Sequence, residues 1–137
     1  MADVVITRGD GRTLSFSSPR RGTEGEIWDV EVALAVPGMG VQKRVASHYA
    51  TAFDELIGFF DQLAARWKGW DGEIIYESLE GDLKLVAAHR ASHVDLGARL
   101  RRVEPPEWCA EASVTIDPGK QITAIANELR GLLQKHP

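Results

Sequence analysis

Apolar and polar residues alternate along most of this chain, and the period turns helical twice. Val4, Val5 and Ile6, then Gly9-Asp10-Gly11, then Leu14 and Phe16, predict a β-hairpin closed by a glycine turn. Residues 17–26 are polar and predict a loop. Trp28, Val30, Val32 and Leu34 alternate with Ile27, Asp29, Glu31 and Ala33, which predicts a strand burying the first set. Pro37-Gly38-Met39-Gly40 turns the chain into a fourth strand over 41–49. The period then becomes helical: Phe53, Leu56, Ile57, Phe60, Leu63, Ala64 and Trp67 form one stripe, which puts Trp67 in the core. Thr51 is the expected N-cap, Asp54 and Glu55 suit the positive first turn, and Gly69 is placed to stop the helix.

The second half repeats that order. Glu73–Tyr76 predicts a short strand, and the alternating sets Leu83/Leu85/Ala87, Val94/Leu96/Ala98/Leu100 and Trp108/Ala110/Ala112/Val114/Ile116 predict three more. Asp117 is the expected cap of a last helix, with Pro118 at its first position and a stripe of Ile122, Ile125, Ala126, Leu129, Leu132 and Leu133. Shifting Leu56, Phe60, Leu63 and Trp67 forward by 66 positions lands on Ile122, Ala126, Leu129 and Leu133. The same shift carries Trp28, Val30, Val32 and Leu34 onto Val94, Leu96, Ala98 and Leu100. The expectation is an α+β fold of duplicated ββββα order: two antiparallel four-stranded sheets packed together with two helices. It forms one domain over 1–137, with halves of about 1–70 and 71–137. This order resembles the Whirly-type topology of single-stranded nucleic-acid binders, a resemblance of topology that implies no function.

Composition adds class and compartment. A chain of 137 residues with 44% hydrophobic and 26% charged residues suits one globular domain. A net charge of −4 argues against a dedicated duplex-DNA binder. The lone Cys109 cannot form an internal disulfide, and neither a secretory signal nor a membrane-spanning run is read, so a cytoplasmic protein is expected. Charge is unevenly placed. Residues 67–82 hold five acids against one lysine, whereas fifteen basic and fifteen acidic side chains balance elsewhere.

That segment also carries the motifs. Trp67-Lys68-Gly69-Trp70-Asp71-Gly72, then Tyr76-Glu77-Ser78-Leu79-Glu80-Gly81-Asp82, resembles an uncharacterised actinobacterial domain family with W-x-G-W-x-G and Y-E-S-L-E-G-D motifs. The later features of that family fall at Leu83–His89, Ser92-His93-Val94, Leu100-Arg101 and Pro106-Glu107-Trp108, so the resemblance covers about 51–133. Ser92 stands where the family pattern favours Gly. More remotely, an aromatic-ended helix followed by Ser-Leu-Glu-Gly-Asp is similar to WapI-type immunity proteins, which implies neutralisation of a toxin in the producer's cytoplasm.

No catalytic signature is legible. Glu77, Glu80 and Asp82 are close in sequence but lack a partner His or a further carboxylate at metal spacing, and holding a turn is the favoured role. His89 and His93 flank a hairpin turn with no third ligand, so a hydrogen-bonding role is favoured over a metal. Cys109, with no base or cationic environment in reach, reads as inert. No phosphate loop occurs. Catalytic residues, metal and cofactor are therefore expected to be none. The leading expectation is a small non-enzymatic binding protein, an immunity type that occludes a basic toxin domain. Its contact residues would be Trp70, Asp71, Glu73, Tyr76, Glu77, Glu80 and Asp82. One alternative is a single-stranded nucleic-acid binder using Lys84, Arg99 and Arg101, which share strand parity, and another is a structural or adaptor domain. A monomer and a homodimer both fit the pattern.

Overall fold

The computed structural model describes residues 3–134, so the outermost positions of the expected domain lie outside the described residues. In chain order the elements are β1 (Val4–Thr7), β2 (Thr13–Arg21), β3 (Ile27–Val36), β4 (Met39–Ala46), α1 (Asp54–Ala65), β5 (Glu73–Glu77), β6 (Leu83–Arg90), β7 (His93–Arg102), β8 (Trp108–Ile116) and α2 (Lys120–Leu133). The strands form two antiparallel sheets, β1-β2-β3-β4 and β5-β6-β7-β8, each running in chain order and each followed by a helix. This is the α+β, duplicated ββββα arrangement that the sequence pattern predicts.

Turn chemistry sets the registers. Between β1 and β2 the Thr7 hydroxyl accepts the Gly9 N–H at 3.0 Å and the Asp10 carboxylate accepts the Arg12 N–H at 3.1 Å. In the β6–β7 hairpin Arg90 pairs with His93, leaving Ala91 and Ser92 as the two-residue loop. Ala91 adopts φ 53°, a left-handed conformation that favours glycine.

The 66-residue shift carries β3 onto β7 at both ends and the start of α1 onto the start of α2. Val30, Val32 and Leu34 are buried, as are Leu96, Ala98 and Leu100, and both helices add their stripes to the same core cluster. Each fully buried Leu, Ile or Val adds roughly 1.5–3 kcal/mol. The helices meet through an Asp61–Arg130 ion pair. Arg21, at the end of β2, donates to the Leu132 and Gln134 carbonyls at 2.6 and 3.0 Å. It thereby satisfies acceptors that the end of α2 leaves open.

Several expectations are corrected. The expected loop at 17–26 is largely strand: β2 continues to Arg21 through an irregularity at Ser18, whose φ is 51°. The β2–β3 register slips between Ser17 and Arg20 and again between Arg20 and Arg21. That slip breaks the inward parity of β3. Ile27 is buried while Trp28 is 59% exposed. β4 ends at Ala46, not Tyr49, because the chain leaves the sheet in a closed turn where His48 and Ala52 exchange backbone hydrogen bonds of 2.9 Å.

The helix ends differ too. Phe53, not Thr51, is the N-cap of α1, and the Thr51 hydroxyl donates instead to the Glu55 carboxylate at 2.6 and 2.8 Å. Gly119, not Asp117, caps α2, while Asp117 pairs with Arg8 at 3.3 Å. α1 stops at Ala65, so Gly69 lies beyond its end and Trp67 leaves the helical stripe. The expected core residue Trp67 is therefore 51% exposed, with the Lys68 Nζ 5.5 Å from its ring centroid. Among the described residues no helix is long and apolar enough to cross a membrane.

Candidate functional site

The turn from Glu77 to Leu83 divides the acidic segment into interior and surface. Ser78 and Asp82 are buried, and Asp82 is only 1% exposed. The Ser78 hydroxyl donates to Asp82 Oδ1 at 2.6 Å and accepts the Leu83 N–H at 3.0 Å. On its other side Asp82 Oδ2 accepts from Lys43 Nζ at 2.9 Å. Lys43 belongs to β4, so this ion pair fastens the β5–β6 turn to the first sheet. A buried carboxylate needs such pairing, and Asp82 is consequently a structural residue. The side chain of Tyr76 is also interior, at 9% exposed. Burial thus corrects the expectation that Asp82 and Tyr76 present themselves as surface contacts.

Asp71, Glu73, Glu77 and Glu80 are exposed as expected, and so are the apolar side chains of Ile75 and Leu79 between them. Among the described residues Asp71, Glu73 and Glu80 make no ion pair, while Glu77 accepts from Arg99 Nη2 at 3.0 Å. β5 is an end strand of its sheet. The result is an edge where Asp71 and Glu73 carry unpaired charge beside exposed apolar side chains, with Glu80 in the turn beyond β5. Trp70 is half-buried beside it, edge-on to His89 at 5.3 Å between ring centroids. Its Nε1 is buried without a partner among the described residues, which makes Trp70 a packing residue more than an exposed anchor.

A cavity of about 140 Å³ opens behind this edge, between the 46–55 connection and β5, lined by His48, Glu55, Tyr76, Glu77 and Leu79. His48 Nδ1 accepts the Ala50 N–H at 3.0 Å, and its ring stacks on Tyr49 with centroids 4.6 Å apart. Tyr49 itself is 88% exposed. Burial raises the Tyr76 phenol above its ordinary pKa, and the charges of Glu55 and Asp82 add to the shift, so the hydroxyl stays protonated at neutral pH. Sequence reasoning missed His48 and Glu55 as lining of this cavity. Only the polar break after β4 signalled this site, because nothing local fixes the turn that brings 48–55 to β5.

The basic residues are gathered differently. Lys84 pairs directly with Arg99 across β6 and β7, and the same row continues to Glu77 on β5 and Glu111 on β8. Arg101 shares that face, as the parity predicts, but its Nε donates to the Gly81 carbonyl at 2.9 Å. Lys84, Gly97, Arg99 and Glu111 line a shallow concavity of about 420 Å³ that has no aromatic wall. A second cleft, of about 470 Å³, brings Arg20, Arg44 and Arg102 together with Asp29, Glu80 and Glu104. There the hydrogen bond from Arg20, helped by Arg44, holds the Asp29 carboxyl below its ordinary range.

The remaining candidates are separated. His89 has the inward parity of β6 and meets Trp70 edge-on, whereas His93 has the outward parity of β7 and lies 3.2 Å from Asp95. Opposite faces of one sheet keep the two imidazoles apart. Cys109 is exposed, opposite Arg101 on the outer face of β8. Among the described residues no group of three or more His, Cys, Asp or Glu side chains has the arrangement of a metal site.

Fold and surface together define a small two-sheet α+β protein with an acidic, apolar-studded edge. The chain belongs to DUF6228, a family of unknown function whose model matches residues 5–136. No curated protein and no solved structure matches the chain.

Proposed function

We propose that this chain is a non-enzymatic binding protein that docks a basic protein partner on its β5 edge. The carrying observation is that Asp71, Glu73 and Glu80 are exposed without ion-pair partners among the described residues and flank the exposed Ile75 and Leu79. Unpaired carboxylates steer and select a cationic surface, and the apolar side chains supply area to bury. The buried Asp82 needs no catalytic role to explain it, since it is held by Lys43 and Ser78. In the finer form of this reading the protein is cytoplasmic and of immunity type, and the partner is a toxin domain blocked by occlusion. The similarity to WapI-type proteins supports that form through Ser78-Leu79-Glu80-Gly81-Asp82 alone, because α1 ends two residues before Trp67.

The test is a triple variant, Asp71→Asn, Glu73→Gln and Glu80→Gln, which spares the buried Asp82. It should fold with unchanged circular dichroism and capture less of the partner held by the native chain at low salt. Capture that is equal at every salt concentration would sink the proposal. An adaptor role predicts the same capture without relief of toxicity. The concavity beside Lys84 and Arg99 favours one competing reading, a single-stranded nucleic-acid binder. That reading requires oligonucleotide affinity to fall steeply with salt. Glu77 and Glu111 in the same row, and the missing stacking wall, rank it second.

A further inference from the structure

The corner where α1 ends and α2 begins has the opposite charge to the β5 edge. Trp67 stands two residues past the end of α1 and is 51% exposed. With Gly119, Lys120, Thr123, Ala124 and Asn127 it lines an open groove of about 530 Å³. The lining therefore combines one indole, small side chains, one carboxamide and one lysine, and no acid.

The surroundings are cationic. Lys68 Nζ lies over the indole, 5.5 Å from the ring centroid. Arg66, Lys68 and Lys120 are all exposed, and none makes an ion pair among the described residues. Asp117, just before α2, is taken by Arg8. Helix stability accounts for only part of this pattern. Arg66 and Lys68 stand at and beyond the C-terminal end of α1, where the helix dipole favours cations. Lys120 opens α2, where the dipole disfavours them, and that first turn holds no acid.

An exposed aromatic plane among uncompensated cations selects an occupant that is both flat and anionic. An acidic peptide answers the cations but brings no obligatory ring for the indole. Every nucleotide brings a base with a π-face and a phosphate. The Asn127 carboxamide, donor and acceptor together, matches a base edge. A shallow open groove also fits a strand passing through better than a free nucleotide, which needs enclosure of most of its surface.

We propose that the Trp67 groove docks a short single-stranded nucleic-acid segment, with a base stacked on Trp67 and the neighbouring phosphates met by Arg66, Lys68 and Lys120. The site shares no residue with the β5 edge or with the concavity at Lys84 and Arg99, so it stands or falls apart from both.

The experiment is fluorescence anisotropy of a labelled oligothymidylate of about ten nucleotides, titrated with the full chain. Salt is varied between about 50 and 200 mM. Three cations on a single strand should give a log–log salt slope of about −2, and Lys68→Gln with Lys120→Gln should reduce it to about −0.7. Trp67→Ala should weaken binding about tenfold at unchanged slope, and Trp67→Phe should weaken it less. Amide NMR shifts should fall at Trp67, Lys120 and Ala124. Should Trp67→Ala fail to fold, the lysine pair and Trp67→Phe still decide the matter. Absent binding at low salt, full affinity in the lysine pair or in Trp67→Ala, or shifts confined to the strand face around Lys84 would overturn the site. Thymidine monophosphate binding as tightly as the oligomer would overturn the strand. A polyglutamate peptide binding as tightly would overturn the choice of nucleic acid.

Discussion

Replacing Asp82 by Asn removes the one charge that, among the described residues, compensates Lys43 between the two sheets. Breaking a buried pair from one side leaves the other charge stranded, so a loss of about 3 kcal/mol is expected in urea unfolding. The double variant Lys43→Met, Asp82→Leu should lose less than the two single changes added together, which a double-mutant cycle measures. Backbone conformation gives a pair of opposite predictions. Ala91→Gly relieves a left-handed alanine and should raise stability by about 1 kcal/mol. Gly81→Ala places a Cβ in a left-handed position 3.1 Å from Arg101 Nη2, and should lower stability by about 1–2 kcal/mol. Of these residues the sequence made the turn around Glu77–Asp82 legible, because Gly81 and flanking acids are turn chemistry. It left Lys43 unreadable as a partner, since their meeting depends on how two sheets pack.

At the scale of elements, strand parity was the most informative signal. It separates Leu83, Leu85 and Ala87 from Lys84 and Val86, and Val94 to Leu100 from Asp95, Arg99 and Arg101, as the burial confirms. It fails at Trp28 because a register slip in β2 is invisible to alternation. It fails at Trp67 because periodicity does not tell where α1 stops. The same irregular corner sets an acid dependence. Asp29, bonded by Arg20 and Arg44, titrates lower folded than unfolded. The unfolded chain therefore takes up the proton first as pH falls. The stabilisation is present above the unfolded value near pH 4 and is lost as pH falls through the folded one. Asp29→Asn should accordingly flatten the decline of stability between about pH 5 and 3, read from thermal unfolding across that range.

For the whole molecule, both sheets and both helices contribute to one hydrophobic cluster. Far-UV circular dichroism and tryptophan fluorescence should therefore follow a single coincident transition in urea. Fragments 1–70 and 71–137 expressed separately should show no cooperative transition, because each sheet would leave its apolar face to water. This shared core was legible from the duplicated pattern; the cavity at Glu55 and Tyr76 was not, because it forms where the two halves meet.

β5 ends its sheet, so its outer backbone groups are a template on which a strand from another molecule can pair. Ile75 on its exposed face would favour such stacking, but Glu73 and Glu77 stand on either side of it. Like charges brought together at an edge repel, which makes these carboxylates gatekeepers against aggregation. Glu73→Gln combined with Glu77→Gln should raise static light scattering at high concentration even where the fold is unchanged. Glu73, part of the edge proposed to attract a basic partner, would then also help to hold copies of the chain apart.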